Sequence, residues 1–514
     1  MSNPIKKLLG QTAVYGLSSI VGRLLNYLLV PLYTSVFSEP SDYGVVSELY
    51  AWVAFLVVFL TFGMETAFFR FLQDKDDKDK VFLNGFLTVI GINLLFFIVL
   101  LFFNQSIADL LLFSDHPEYI ILLGAIVCID AITALPLAKL RAENKAKQFA
   151  SIQFASIGVN IILNLIFFLK LVKGVYFLEL IFPVFDPKHP EDAVFFILIF
   201  NLISSLVKPS LLYKHFLNLR LNFDMQLAKE MGIYAIPLVI AGFAGIINET
   251  IDRILLKHIL SNGSYEFVYE NVYGKTKMVV NSLTDAQGQV GIYSACYKLA
   301  MLVTILLQAY RYAAEPFFFA QMKSADKNKV YAKVMNFFVA MVCLVFLVVS
   351  LNIDFFKLFI RNEAYHVGLG VVPVLLLANV FLGIYYNQSI WYKLSGQTKF
   401  GAYIAIIGAI TTLVINMLFI PTYGFMASAW ATMIVYALQM VLSYYLGQKY
   451  YPIKYNLRKF FLYLGVALLF YFITELLNLE GPFGRFFVHN MLIIVYIGMV
   501  YTLEKSAFKK NTNE

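Results

Sequence analysis

The 514-residue sequence has little charge and very little cysteine. Asp, Glu, Lys and Arg make up 14% of the residues, and only three cysteines are present. An ordinary soluble domain carries about 25% charged residues. Three cysteines without paired spacing exclude a disulfide scaffold. The remaining composition is 60% apolar, which is more apolar surface than a soluble fold of this length can bury. The composition therefore predicts a protein embedded in lipid, and it excludes a disordered or fibrous chain.

The sequence also lacks the short signatures of several enzyme classes. It has no GxxxxGK[ST] nucleotide-binding loop, no HExxH zinc motif and no GxSxG nucleophile motif. Two DxD patterns, at Asp74-Lys75-Asp76 and Asp77-Lys78-Asp79, resemble those with which glycosyltransferases hold a metal and a sugar nucleotide. They lie in a short loop rich in lysine, which favours a solvated loop. No catalytic residue and no metal site are predicted.

Apolar runs of the length that a membrane helix needs, about 20 residues, recur along the whole chain. Scanning for them predicts an all-α polytopic membrane protein with about fourteen transmembrane helices. Their approximate limits are 11–37, 44–71, 81–103, 119–138, 148–170, 193–213, 231–260, 289–320, 331–351, 366–392, 400–420, 423–447, 460–478 and 486–503.

The basic residues predict the orientation of these spans. With the N-terminus inside, 25 Lys and Arg residues fall in inner segments and nine, Lys257 among them, in outer segments. Because short cytoplasmic loops are enriched in Lys and Arg, both termini are predicted to be cytoplasmic. The net charge of +8 is thus attributed to topology and not to nucleic-acid binding.

Matches at a nearly constant offset predict that a six-helix unit is duplicated. Glu65, Phe68 and Phe69 match Glu315, Phe318 and Phe319 at an offset of 250, and Tyr43 matches Tyr293. Lys147 and Asn164 match Lys399 and Asn416 at 252. Parallel repeats of this kind flank a site near the membrane midplane. The chain is accordingly divided into an N-terminal lobe (1–225), a C-terminal lobe (226–450) and two extra helices with a cytoplasmic tail (451–514).

Charges inside the spans are the candidate site residues, since each costs roughly 2.5–3.5 kcal/mol to place at the bilayer centre. Arg23 stands out because no acid lies three or four residues away on its own helix. It is either an anion-binding residue in a cavity or the partner of Glu48 or Glu65. The candidate cavity cations are Arg23, Arg253, Lys298 and Arg311. The candidate gate or ion-coupling acids are Glu48, Glu65, Asp130, Glu249, Asp252 and Glu315.

Helical spacing leaves structural alternatives open for several of these charges. Glu249 with Arg253, and Arg311 with Glu315, are four residues apart, where opposite charges pair on one helix face. Asp130 is either a proton or cation site or a hydrogen-bonded structural acid, and the latter is favoured.

Two outer loops, at about 171–192 and 261–288, are longer than the others. In the second, Tyr265, Tyr269 and Tyr273 recur every four residues, as one face of a short helix would. Such a face could stack on sugars, but an ordinary insertion in a tolerant loop is favoured.

Three stretches resemble the O-antigen and capsule polysaccharide flippases of the multidrug/oligosaccharidyl-lipid/polysaccharide (MOP) exporter superfamily. They are VPLYTSVFSEPSDYGVVS from Val30, IDRILLKHIL from Ile251 with VGIYSACYKLA from Val290, and IPTYGFMASAWAT from Ile420. The resemblance covers about residues 8–503. The family usually joins the two parts of the second stretch by a short turn, whereas this chain inserts about 25 residues.

The resemblance implies two six-helix lobes in a V, with two extra helices, in a bacterial cytoplasmic membrane. It implies a transporter, not an enzyme, that moves a polyprenyl-diphosphate-linked oligosaccharide outward by alternating access for surface polysaccharide such as O-antigen. Arg23 matches the span-1 arginine that lies in the cationic cavity of related lipid-linked precursor flippases. The implied partners are the lipid-linked oligosaccharide, membrane lipids and other glycan-assembly proteins. No cofactor is expected, and coupling to Na⁺ or H⁺ is left open.

Two other functions are weighed against this one. An ion-coupled multidrug exporter would prefer an acid-lined cavity, and Arg23, Arg253 and Lys298 argue against it. A membrane glycan polymerase or ligase would need a large outer loop with catalytic residues, which the sequence does not offer.

Overall fold

A computed structural model provides the fold. It describes residues 21, 24, 25, 27–74, 77–173, 191–217, 223–271, 274–322, 324, 326–477 and 481–509, apart from some side chains near the ends of these ranges and in 312–320. Most of the first predicted span, Arg23, Tyr273, the middle of the 171–192 loop and the side chain of Glu315 lie outside this description.

The first half of the chain is helical. Its helices are α1 (Val30–Val36), α2 (Pro40–Thr61), α3 (Met64–Asp74), α4 (Lys78–Leu110), α5 (Pro117–Ala142), α6 (Ala146–Lys173), α7 (Glu191–Leu217) and α8 (Met225–Leu260).

The second half opens with a hairpin of β1 (Tyr265–Asn271) and β2 (Gly274–Val280). The helices that follow are α9 (Leu283–Gln321), α10 (Lys327–Leu351), α11 (Ile353–Phe356), α12 (Val371–Gln388), α13 (Ile390–Leu394), α14 (Lys399–Tyr423), α15 (Phe425–Tyr450), α16 (Leu457–Leu477) and α17 (Pro482–Lys509), with 3₁₀ turns at Lys357–Phe359 and Glu363–Gly370.

Thirteen stretches of helix within the described residues are long and apolar enough to cross a membrane. They coincide with predicted spans two to fourteen, so the prediction of a polytopic helical membrane protein is confirmed. Long apolar runs become helices in lipid because only a helix satisfies every backbone N–H and C=O within one segment.

The spanning helices pack in two groups and an appended pair. In the N-terminal group α5 packs on α2, α4 and α7, and α6 packs on α7; in the C-terminal group α12 packs on α9 and α15, and α14 on α8 and α15. The pair α16 and α17 packs on α10. The groups meet mainly where α2 contacts α8 and α9. The lobe boundaries at 225 and 450 stay predictions.

The second span contains a break that its continuous apolar run does not reveal. Helix α2 ends at Thr61, and the next two residues, Phe62 and Gly63, have left-handed backbone angles (φ 48° and 62°) before α3 begins. The Asn93 amide donates to the Leu60 carbonyl at 3.0 Å, which satisfies one acceptor that the break frees. The break divides the span into two helices.

The long loop after α8 is a β-hairpin, so the helical interpretation of its tyrosine spacing is wrong. Side chains at every second position of a strand lie on the same face. In β1 these are Tyr265, Phe267 and Tyr269, and neighbouring rings of the three stack on each other. Tyr269 also stacks on Phe425, with ring centroids 4.0 Å apart, and its hydroxyl donates to Gln289 at 2.7 Å. The aromatic face is therefore buried against the helices and is not free to stack on a sugar.

Candidate functional site

The helices α2 and α9 cross at two glycines, at the predicted outer end of the bundle, where α2 begins and α8 ends. A Cβ atom at Gly44 would overlap the main-chain carbonyl of Gln287, and one at Gly291 would overlap that of Pro40. Only glycine permits so close an approach of two backbones. This crossing joins the N-terminal and the C-terminal groups at this end.

A buried ion pair lies beside the crossing. The Lys257 Nζ of α8 is 2.8 Å from Glu48 Oε2 of α2, and neither side chain is exposed to solvent. Lys257 also donates to the Leu111 carbonyl at 2.7 Å and lies 3.4 Å from the centre of the Phe113 ring. Trp52 donates to the second Glu48 oxygen at 3.3 Å. The pair therefore links the two groups in a water-free setting.

Lys257 is a site residue that the sequence analysis missed. It is counted with the outer segments although the predicted span 231–260 contains it, and in the structure α8 ends at Leu260 and the Lys257 side chain is completely buried. A usable signal was present, because Arg253 and Lys257 are four residues apart and so face the same side of one helix. Glu48, a candidate gate acid, thus has a partner from the other group.

The acid Glu65 is paired as well, within the N-terminal group. Its Oε1 lies 2.6 Å from Arg141 Nη2, at the predicted inner end of the bundle. Both acids proposed as partners of Arg23 therefore contact other cations.

Arg253 and Asp252 form a second buried cluster in α8. The guanidinium is 2.9 Å from Asp252 Oδ1, and the Tyr293 hydroxyl donates to Asp252 Oδ2 at 2.6 Å. Arg253 also donates to the main-chain carbonyl of Glu249 at 3.0 Å and lies 4.5 Å from the centre of the Tyr297 ring. The salt bridge of Arg253 is thus with its neighbour in sequence, and the charge of this candidate cation is balanced locally.

The remaining C-terminal candidates lie around the same helices. Lys298 of α9 is close enough to Arg253 for their charges to repel. Arg311, farther along α9, lies 4.1 Å from the centre of the Tyr386 ring and shares a shallow pocket with Lys393. Glu249 acts electrostatically on Tyr386 from α8. The C-terminal candidates thus lie on the neighbouring helices α8 and α9 and are not gathered at one point.

Asp130 lines a polar cavity inside the N-terminal group. The cavity has a volume of about 170 Å³ and lies among α2, α5, α6 and α7. Asp130 Oδ1 is 2.8 Å from Lys208 Nζ, and the two side chains are 29% and 17% exposed. Lys208 lies on α7, which remains one helix through Pro209. This contact favours the hydrogen-bonded structural acid over a lone ion-binding carboxylate.

Part of the wall of this cavity has a sequence counterpart in the C-terminal group. Ser156, Asn160 and Asn164 on α6 correspond at an offset of 252 to Gly408, Thr412 and Asn416 on α14. Asn164 and Asn416 are fully buried, and the amide of each donates to the main-chain carbonyl four residues earlier at 2.8 Å.

The surroundings of these matching residues on α6 and α14 differ. Asn248 accepts from Thr412 at 3.1 Å, and a Cβ at Gly408 would overlap the Gln439 amide. The amide side chains of Asn248 and Gln439 thus pack against this part of α14. Among the described residues, no three His, Cys, Asp or Glu side chains are arranged to hold a metal.

A family model described as "Polysaccharide biosynthesis protein" matches residues 8–322, more than half of the chain. The chain belongs to this family. A search of curated protein sequences finds no match.

Solved structures of the MOP superfamily share the fold of this family member. A structure described as lipid II flippase MurJ in an inward closed conformation superposes with a TM-score of 0.65 at 14% identity, covering 95% of this chain and 98% of that one. An inward-facing multidrug resistance MATE family transporter gives 0.58 at 13% identity, covering 82% and 93%. An outward-facing MATE transporter gives 0.56 at 14% identity, covering 87% and 96%. At these identities the likeness establishes the fold alone.

Proposed function

We propose that this protein is a flippase that moves a polyprenyl-diphosphate-linked oligosaccharide across the cytoplasmic membrane of a bacterium, for surface polysaccharide of the O-antigen type. The main support is its membership of a polysaccharide biosynthesis family together with a fold that MOP transporters share. The proposed orientation has both termini in the cytoplasm. The proposed units are the lobes 1–225 and 226–450, with the extra helices in 451–514.

The mechanism we propose is alternating access. The glycine crossing of α2 and α9 and the dry Glu48–Lys257 pair close one end, and both join helices of different lobes. Opening that end requires the Glu48–Lys257 contact to break while each lobe keeps its own internal packing. A substrate loaded from the inner leaflet could then leave outward, with its prenyl chain in lipid throughout.

Arg23 is proposed to hold the diphosphate within the cavity. A guanidinium is a fixed cation whose planar donors suit phosphate. Glu48 and Glu65, the two acids predicted as alternative partners of Arg23, each contact another cation, Lys257 and Arg141. We expect Arg23→Ala to abolish complementation with normal membrane expression, and Arg23→Lys to retain part. Arg458→Ala, at an exposed cation at the start of α16, is the matched control.

The deciding experiment is deletion of the gene followed by lipid analysis. We expect the lipid-linked oligosaccharide to accumulate on the cytoplasmic leaflet and surface glycan to fall, with both restored by the wild-type gene. A multidrug exporter is the second candidate, because MATE transporters share the fold. Normal surface glycan with altered drug tolerance would favour that candidate and contradict the flippase.

A further inference from the structure

An apolar groove runs between α9 and α10 on the surface of the C-terminal group. Its volume is about 390 Å³, and its walls include Val303, Leu306, Leu307, Phe338, Met341 and Val345. Leu306 and Met341 are 54% and 58% exposed. The groove therefore opens toward the space that lipid fills, and its walls suit a hydrocarbon chain.

Tyr310 stands where this groove ends. Its ring lies against Phe338, with centroids 4.4 Å apart, and its hydroxyl accepts a hydrogen bond from the Asn387 amide at 2.6 Å. The same Tyr310 lines the adjoining pocket that contains Arg311 and Lys393. Tyr310 therefore lies between the apolar walls of the groove and the pocket that contains the two cations.

The two cations come from separate elements that meet at this pocket. Arg311 lies on α9 over the Tyr386 ring at 4.1 Å, and Lys393 lies on α13. Guanidinium and ammonium groups are the usual protein ligands of phosphate. Both lie toward the predicted inner ends of their helices, which is the level of the inner-leaflet headgroups. The arrangement fits an amphiphile with an apolar chain and a compact anionic head.

We infer that the α9–α10 groove and its cationic pocket form the loading site for the substrate's polyprenyl diphosphate, with the first isoprene units in the groove and the diphosphate against Arg311 and Lys393. This inference rests on the proposed function and specifies where the carrier lipid first binds. Binding the chain here leaves the glycan free to enter the space between the lobes. Lys393 joins Arg311 as a specificity residue for the anionic head.

The test is a binding titration on the full-length protein in nanodiscs, with three probes: polyprenyl diphosphate, polyprenol and phosphatidylglycerol. Arg311→Gln and Lys393→Gln should each weaken polyprenyl diphosphate binding about tenfold, a loss of about 1.4 kcal/mol, and leave polyprenol binding unchanged. Leu306→Trp and Met341→Trp fill the groove and should weaken both polyprenyl probes. Met417→Trp, at an equally exposed apolar position on α14, should change neither.

Three results would overturn the inference. The first is unchanged affinity in the groove variants, and the second is equal weakening by Met417→Trp. The third is binding of phosphatidylglycerol as tight as that of polyprenyl diphosphate, which would indicate an ordinary lipid site. Thermal unfolding of each variant checks that it is folded.

The inference and the proposed function fail separately. If deletion causes lipid-linked oligosaccharide to accumulate but the groove variants bind and complement normally, this site is wrong and the flippase stands. If the variants lose binding but deletion leaves the glycan lipids unchanged, the binding site stands and the proposed function fails.

Discussion

Two ion pairs with the same 2.8 Å separation lie in opposite surroundings in this protein. Glu48 and Lys257 are completely buried and come from the two different helix groups, whereas Asp130 and Lys208 line a polar cavity inside one group. The first pair has lost its water and depends on Leu111, Phe113 and Trp52 for compensation. The second is partly solvated. Equal distances therefore do not imply equal energetic roles.

The difference also bears on motion. The dry pair joins helices that must separate if the closed end opens, so its free energy contributes to the difference between two conformations. The partly solvated pair, Asp130 and Lys208 (the wet pair), joins α5 and α7, which pack on each other in one group and would move together. Mutations at the two pairs should therefore separate effects on conformational balance from effects on local packing.

The largest expected effect is that of Lys257→Met. Removing one partner leaves the Glu48 carboxylate buried and unpaired, which typically costs about 3–5 kcal/mol. The double variant Glu48→Gln/Lys257→Met should recover most of this loss, because both charges are gone. Chemical unfolding in micelles measures both quantities. Additive losses in the double variant would contradict a coupled pair.

A slightly smaller effect is expected at the glycine crossing. Gly44→Leu would overlap the Gln287 carbonyl, and overpacking of this kind typically costs about 1–3 kcal/mol. Because the clash falls between the two groups, it should favour the open end. Cys296 is fully buried on α9, five residues after Gly291, and its thiol donates to the Tyr365 carbonyl. Opening of this end should make Cys296 react with a thiol reagent, whereas Cys128 should stay protected.

Gly158→Leu on α6 is the matched control, because nothing lies within 4 Å of a Cβ there. It should leave Cys296 protected. Equal alkylation of Cys296 in both glycine variants would contradict a role of the crossing in closure.

The wet pair should respond more weakly to the same kind of change. We expect Lys208→Met to destabilise by about 1 kcal/mol, since partly exposed ion pairs are screened by water. Added salt should reduce the difference from wild type, and it should leave the loss in Lys257→Met nearly unchanged. A Lys208→Met loss as large as that of Lys257→Met would remove the distinction between the pairs.

The sequence was sufficient to predict the membrane spans, but it was not sufficient to predict which residues form the ion pairs. Apolar runs of about 20 residues have one stable form in lipid, so spans two to fourteen were correctly predicted. Partners are set by tertiary packing, which one sequence does not encode locally. Glu48 and Lys257 are more than 200 positions apart, and Lys257 lies near the outer end of its predicted span, where it is counted with the outer charges.

Local spacing alone did not identify every contact. Glu249 and Arg253 have the spacing of a helical pair, and the Arg253 guanidinium donates to the Glu249 main-chain carbonyl and bonds to the adjacent Asp252, whose second oxygen accepts from Tyr293. Tyr265 and Tyr269 have helical spacing too. They lie in a strand, where residues two apart share one face, and the Phe267 ring stacks between them.

The smallest expected effect is at a third ion pair, whose two side chains are 33% and 34% exposed and whose acid, Asp224, lies outside the membrane spans. Lys80 and Asp224 are 2.8 Å apart, and Asp224 also caps α8 by accepting from the N–H groups of Gln226 and Leu227. The Lys80 ammonium, and then these N–H groups, lower the pKa of Asp224 below its usual value. Such a group contributes stability that is complete above its unfolded pKa, about 3.9, and is lost as pH falls through the folded value.

We therefore expect Asp224→Asn, which keeps an amide oxygen for the cap, to lower the unfolding midpoint slightly at neutral pH. The difference from wild type should shrink as the pH falls below about 4, because the wild-type carboxylate is then protonated. Lys257→Met should keep its large loss at neutral pH at any salt concentration, since water never reaches its partner. If Asp224→Asn instead destabilised as strongly as Lys257→Met, burial would not be what separates these ion pairs.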